Sequence, residues 1–262
     1  MDVVVLVKQV PDTESLIQIA EDGVSIKTDD LKWVINPYDE FAVEEALQIR
    51  ETHGGTVTIL SMGPEKATEA IRTALAMGAD NGVLINDPMT TGGDALTTAK
   101  VLAAALKEIP YDLIIAGQRA VDGDNYQVGS AVAEYLSIPQ ISLVIKEEIF
   151  DGKIRCHRVF EGGIVVVETS FPALFTTQRG LNEPRYASLP GIMKAKKKPL
   201  DIKTLADIGM DPAIVGKAGS KVKIKTLNFP PERQAVRMID GVSGAEKAAI
   251  LAKILHGEIK AI

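Results

Sequence analysis

The sequence predicts an α/β fold: a doubly wound, mostly parallel sheet with antiparallel additions and an extended C-terminal arm. Three observations predict it. Short runs rich in Val, Ile and Leu alternate with helical periodicity through residue 136, the order that builds a parallel sheet. From residue 139 the apolar runs follow one another through tight turns, as antiparallel strands do. After Pro199 regularity is lost until a last helical stretch. With 262 residues, 46% of them hydrophobic, the chain is long enough to bury a sizeable core.

Residues 3–10 are a mostly apolar run bounded by Pro11, the pattern of a buried parallel strand. Further strands are expected at 56–62, 82–85 and 111–116, with helices at 40–52, 65–77, 95–106 and about 126–136 between and after them. Residues 139–145 begin a fifth strand. Strands at 154–160, 164–169 and 173–177 follow, joined by turns at Asp151-Gly152 and Glu161-Gly162-Gly163. Residues 1–199 are expected to form the α/β domain. Residues 200–241, with Gly209, Gly216, Gly219 and Pro230-Pro231, read as an arm that needs another surface to lie on. The arm ends in a helix at 244–256 that carries Ala248, Leu251, Ile254 and Leu255 on one face.

Composition excludes several classes. A net charge of −6 and a pI near 5.3 argue against nucleic-acid binding, which calls for a basic stripe. No run of about 18 apolar residues and no charged leader precede residues 3–7, so the expectation is a cytoplasmic chain without a membrane span or signal peptide. The single cysteine, Cys156, is expected to be an ordinary strand residue. The histidines stand apart at 53, 157 and 256, with no metal-ligand spacing and no acid–base pair, so neither a catalytic residue nor a metal site is assigned.

Two segments carry chemistry. The first follows the strand at 111–116 and contains neither G-x-G-x-x-G nor a Walker sequence. In an open α/β sheet ligands lie beyond the carboxyl ends of the strands, so the segments after strands one, three and four are the candidates. Backbone N–H groups of Gln127, Val128, Gly129 and Ser130, opening a helix, suit a phosphate. Asp122 and Asp124 read equally as turn and N-cap residues. Asn36 and Asp39 offer polar edges for adenine or ribose, and Gly117 permits close backbone approach. The simpler reading of Asn36-Pro37-Tyr38-Asp39 is a turn with Pro at a helix start.

The second segment is residues 181–199. Pro184, Pro190 and Pro199 stiffen it, so a poorly helical loop is expected from 181 to 190. It carries the apolar groups Tyr186, Leu189, Ile192 and Met193, then Lys194, Lys196, Lys197 and Lys198. Either the apolar groups tuck under the loop and the lysines form a solvated face, or the segment is a working surface.

This segment, Arg179-Gly-Leu-Asn-Glu-Pro-Arg-Tyr-Ala-Ser-Leu-Pro-Gly-Ile-Met-Lys-Ala-Lys-Lys-Lys-Pro-Leu200, resembles the partner-recognition loop of the electron transfer flavoprotein β subunit. Val7-Lys8-Gln9-Val10-Pro11-Asp12, Asn36-Pro37-Tyr38-Asp39-Glu40, Met77-Gly78-Ala79-Asp80 and Asp122-Gly123-Asp124 are similar to that family's words in the same order. The resemblance spans nearly the whole chain. It implies an adenine-nucleotide α-hydrolase-like fold and a heterodimer with an α subunit, on which residues 200–262 pack. It also implies that Leu6, Asn36, Pro37, Tyr38, Asp39, Ser61, Met62, Gly117, Gln118, Arg119, Ala120, Val121, Asp122, Gly123, Asp124, Asn125, Tyr126, Gln127 and Val128 bind an adenine nucleotide. The resemblance further implies that Leu189 docks into an acyl-CoA dehydrogenase, with Tyr186, Pro190, Ile192, Met193, Lys194 and Lys196 around it.

In the branch of the family that serves fatty acid oxidation, the nucleotide is AMP. The single FAD there lies mainly on the α subunit, the β subunit closes over its isoalloxazine side, and electrons pass to a membrane quinone oxidoreductase. In the bifurcating branch the same site holds a second FAD that oxidises NADH. Val10-Pro11-Asp12-Thr13, Gly93-Asp94-Ala95-Leu96-Thr97-Thr98 and Asp122-Gly123-Asp124 with Gln127-Val128-Gly129 are similar to bifurcating members. Asn125-Tyr126, against the Thr-Ala usual there, and Leu189-Pro190-Gly191 look non-bifurcating, and AMP is the preferred expectation. Universal-stress-like adenine-nucleotide-binding modules share the strand and helix order, but they do not explain the loop.

Overall fold

In a computed structural model that describes residues 1–232 and 235–261, the chain divides into two compact units, residues 1–225 and 226–262. The larger is built on a nine-stranded sheet. Four strands sit where the apolar runs predict them: β1 (Val3–Leu6), then β4 (Val57–Met62), β5 (Asn81–Ile85) and β6 (Leu113–Gly117). The run at 3–10 is not one strand, however. After Leu6 the chain leaves the sheet, and β2 (Gln9–Pro11) pairs antiparallel with β3 (Trp33–Ile35) in a separate ribbon. The break falls at Lys8, which is exposed, and Gln9, which is half-buried, the two polar residues inside the otherwise apolar run.

Helices α1 (Pro37–His53) and α2 (Thr68–Met77) cover one face of the sheet. The other face is covered by α3 (Ala95–Leu106) and α4 (Val128–Leu136). Strands β7 (Gln140–Phe150), β8 (Lys153–Phe160) and β9 (Gly163–Ser170) form the antiparallel addition, but β10 (Ala173–Thr177), expected to belong to it, returns to lie parallel between β6 and β7, where both neighbours offer it a hydrogen-bonding edge. Cys156 is a buried strand residue, its thiol pushed up to about 12 mainly by burial.

Two expectations are corrected between residues 188 and 199. Helix α5 (Leu189–Ala195) starts at Leu189, so Leu189 and Pro190 are its first turn rather than loop. Ser188 caps it, accepting from the Gly191 N–H at 3.1 Å, and a proline at the start of a helix costs nothing because its N–H would be unpaired there anyway. The solvated-face reading of the lysines fails for Lys198, whose Nζ donates to the carbonyls of Leu75, Gly78 and Ala79 at the end of α2.

Residues 200–225, expected in the arm, pack in the larger unit. There β11 (Leu200–Lys203) pairs parallel with β5 at the sheet edge, and α6 (Gly216–Gly219) follows. The strand is only four residues long, so the apolar–polar alternation of Leu200-Asp201-Ile202-Lys203 is too short to reveal it. The second unit contains α7 (Gly244–Ile254), capped by Ser243, which accepts from Glu246 N–H at 3.2 Å while the Glu246 carboxylate takes Val242 N–H at 2.9 Å. Phe229, Val236, Met238 and Val242 are exposed in this unit. Arg233, Gln234 and Ile262 of the expected arm lie outside the described residues. Among the described residues no helix is long and apolar enough to cross a membrane.

Candidate functional site

The chain runs from β1 through β4 to β5 in one direction, then crosses to β6 on the other side of β1. Connections therefore diverge between β1 and β6, and a crevice opens beyond their carboxyl ends. A cleft of about 250 Å³ fills that place. Of the expected nucleotide residues, Leu6, Asp39, Met62, Gly117, Gln118, Arg119, Ala120, Gly123, Asp124, Asn125, Tyr126, Gln127 and Val128 line it. Asn36, Ser61 and Asp122 do not line it, and Pro37, Tyr38 and Val121 line a second hollow instead. Val7, Lys8, Leu60, Gly93, Asp94, Ala95, Thr98, Leu102, Ala116 and Gly129 also line the cleft. The segment at 93–98 was legible, because it follows the third strand and opens a helix; Leu60 and Leu102 reach the cleft only through packing.

Asn36 and Asp39 hold the crevice together. Asn36 donates to Asp39 Oδ1 and to the Arg119 carbonyl, both at 2.9 Å, and accepts from Val121 N–H at 3.1 Å. Asp39 also takes the N–H groups of Lys8 at 2.7 Å and Gly117 at 3.1 Å. These polar edges are spent inside the protein, tying the end of β1, the start of α1 and the loop after β6. Burial pushes the Asp39 carboxyl up to about 7, opposed by those same hydrogen bonds. Gly117 is required here, since a Cβ on it would lie 2.3 Å from Asp39 Oδ1. Ser61 lies between Leu60 and Met62, and strand alternation turns it to the opposite face, where its hydroxyl is buried without a partner.

The loop after β6 is latched at its rim. Lys8 Nζ donates to both oxygens of Asp122, at 2.8 and 2.7 Å, and Arg119 pairs with Asp124 and donates to Tyr38 Oη at 2.9 Å. The Arg119 guanidinium lies 4.9 Å from the Tyr38 ring centre and 5.3 Å from that of Tyr126. Asp124 and Tyr126 take left-handed backbone conformations, φ 54° and 56°, uncommon for residues with side chains and concentrated at ligand sites. Neither Asp122 nor Asp124 caps α4, so the N-cap reading of both is replaced by ion pairing. Gln127 stands at the N-cap without a side-chain hydrogen bond, leaving the first N–H groups of α4 facing the cleft, whereas Asp94 caps α3 by accepting from Thr97 N–H at 2.9 Å. Gln118 Oε1 and Arg119 Nε are buried without partners beside the cleft. Among the described residues no group of three or more His, Cys, Asp or Glu is arranged to hold a metal ion.

Beyond Arg119 lies a second hollow of about 500 Å³, lined by Thr13, Pro37, Tyr38, Phe41, Arg179 and Tyr186 among others. The apolar groups of the second segment do not tuck under: Tyr186 is 98% exposed, Leu189 81% and Met193 73%, with Ile192 and Pro190 beside them and Lys194 and Lys196 on the surface.

Beneath the segment, buried Glu45 on α1 and half-buried Glu147 on β7 form a carboxyl pair. Burial is the main cause raising both, Glu45 to about 7, and the hydrogen bond from Asn182 to Glu45 opposes it. Because the folded value exceeds the ordinary 4.5, Glu45 costs nothing below that pH. Its penalty grows as pH rises toward about 7 and stays above it. Glu45→Gln, which still accepts from Asn182 and can donate to Glu147, is therefore expected to raise Tm at pH 8, by about 2–4 °C for each kcal/mol of penalty removed. The gain should vanish near pH 4.5. Thermal melts across that range check it; a gain independent of pH would refute the assignment.

Comparison with known proteins follows the same geometry. The electron transfer flavoprotein domain matches residues 24–208. The chain is 43% identical over 265 residues to electron transfer flavoprotein subunit beta of Bacillus subtilis, covering all of both chains. It is also 43% identical to the Bradyrhizobium diazoefficiens subunit of that name, over 97% of each chain. To the caffeyl-CoA reductase-Etf complex subunit CarD of Acetobacterium woodii it is 38% identical, over 96% of each.

Proposed function

This chain belongs to the electron transfer flavoprotein family as a β subunit, and from that premise we propose that it binds AMP in the cleft between β1 and β6, receives electrons from acyl-CoA dehydrogenases and delivers them to a membrane quinone oxidoreductase. Its work is electron transfer within a flavin-carrying heterodimer. The observation that carries the nucleotide assignment is the uncapped N-terminus of α4 opening into the cleft, where backbone N–H groups and the helix dipole favour a phosphate. The remaining lining fits the rest of AMP. Leu6, Leu60, Leu102 and Ala116 give an apolar wall for the base.

Tyr126 supports AMP over a second flavin. Its ring rests on Arg119 and narrows a cleft whose volume lies below the roughly 300–1,000 Å³ of most ligand pockets. FAD, when bound, supplies the redox chemistry. This chain's part is to shape and close the space around it, and the hollow bearing Tyr38 and Phe41 suits the face of a planar ring. The exposed apolar residues of the second unit support its packing on the α subunit. Protection of residues 226–242 from protease on pairing is the corresponding expectation.

A second reading is bifurcation with a second FAD in this cleft, supported by the similarity of Val10-Pro11-Asp12-Thr13 and of Gly93-Asp94-Ala95-Leu96-Thr97-Thr98 to bifurcating members. Acid release of nucleotides from the co-expressed heterodimer, followed by chromatography, separates the two. One flavin with one AMP supports the first reading. Two flavins without AMP support the second.

A further inference from the structure

Leu189 stands in the first turn of α5, four residues beyond Arg185; between them Tyr186 and Ser188 are exposed, Ala187 packs against the core, and Ser188 bonds only within α5. Fixed points lie on both sides. On the far side α5 is held to α2, where Arg72 donates to the Lys198 carbonyl at 2.9 Å and a Cβ on Gly191 would lie 2.5 Å from the Ala76 carbonyl oxygen. On the near side the holding group is Arg185. Its Nε and Nη2 donate to the two oxygens of Glu44 at 2.7 and 2.9 Å. Nη1 and Nη2 reach the two oxygens of Glu51 at 2.6 and 3.2 Å, and its backbone N–H adds a bond to Glu44 Oε2 at 3.1 Å.

One guanidinium thus joins two carboxylates about two turns apart on one face of α1, and Glu44 is almost wholly buried. That distinguishes the clamp from an exposed ion pair, which contributes little. A planar fork makes two paired bonds to each carboxylate; a lysine at the same place presents a point charge and cannot.

We propose that Arg185 is the positioning residue of the docking surface: its clamp on Glu44 and Glu51 fixes where Leu189 stands before a partner arrives. The proposal rests on the reading of Leu189 as a docking anchor and concerns what orients that anchor. The physical gain is preorganisation, since a loop already held in its bound position loses less entropy on association.

The test uses the αβ heterodimer with a purified acyl-CoA dehydrogenase and its acyl-CoA, rates counted per bound flavin. Four forms are compared with the parent: Arg185→Ala, Arg185→Lys, Leu189→Ala and the Arg185→Ala/Leu189→Ala double. Arg185→Ala should raise KM for the dehydrogenase about tenfold with kcat within about twofold, and Arg185→Lys should recover only part of the loss. The double variant should be no worse than Leu189→Ala alone, because a misplaced anchor and a missing one fail in the same way. If Leu189→Ala raises KM while Arg185→Ala does not, or if the two effects simply add, the positioning role is overturned and the anchor reading stands. If Leu189→Ala leaves KM unchanged, the anchor reading falls and this proposal with it. Should Arg185→Ala not fold, Arg185→Lys and Glu51→Gln carry the same comparison, and a KM unchanged in both overturns the proposal.

Discussion

In the heterodimer, Leu189→Ala is expected to lower electron transfer from an acyl-CoA dehydrogenase by about thirtyfold, the factor that corresponds to the roughly 2 kcal/mol lost when an interface hot spot is truncated. The substitution removes an isobutyl group that is 81% exposed and hence contributes little to the core. Surface changes of that kind stay within about 0.5 kcal/mol, so Tm should barely move. Reduction by dithionite, which needs no docking, should proceed as in the parent. Raising salt should weaken transfer further as Lys194 and Lys196 lose their steering effect. Stopped-flow reduction at several dehydrogenase concentrations checks all three points. A lower Tm with unchanged partner-dependent rates would make Leu189 a packing residue and end the docking reading.

Asp122→Ala combined with Gln127→Ala is expected to empty the cleft and lower thermal stability together. The Lys8–Asp122 pair is half-exposed on its lysine side, and such pairs are worth about 0–1 kcal/mol by themselves. A ligand at a hundred times its Kd stabilises the native state by about 2.7 kcal/mol. A fall in Tm of about 5–10 °C therefore exceeds what the lost ion pair explains and has to come from the nucleotide. The parent protein stripped of nucleotide should melt with the variant, and added AMP should restore the parent alone. Retained nucleotide, or loss of it without any change in Tm, would remove this loop from the binding site.

Much of the architecture was legible because hydrophobic periodicity is a local property. The alternation of strands and helices through α4, the antiparallel turn at Asp151-Gly152 and the helix that begins at Gly244 are each written within a few residues. The short elements were not. β2, β3 and β11 are three or four residues long, and they are strands only because a neighbour offers a hydrogen-bonding edge. The start of α5 at Leu189 depended on whether Pro190 breaks a helix or begins one, a question Ser188 decides by capping.

For the candidate site, the sequence by itself determined the crevice rule, the family words and the loop after β6, since these are contiguous stretches with recognisable chemistry. Only the tertiary structure decided what each side chain does there. Asn36 and Asp39 look like ligand contacts in a line of letters, but the fold surrounds them with the donors and acceptors of Lys8, Gly117, Arg119 and Val121, so their polar atoms are spent on holding the crevice together. Lys8 and Asp122 stand 114 positions apart and meet at the rim, and Arg185 finds Glu44 across 141. The physical reason is the same in each case: a hydrogen bond or ion pair depends on distance in space, and distance in space between remote residues is set by packing the sheet and its helices, which no local pattern encodes.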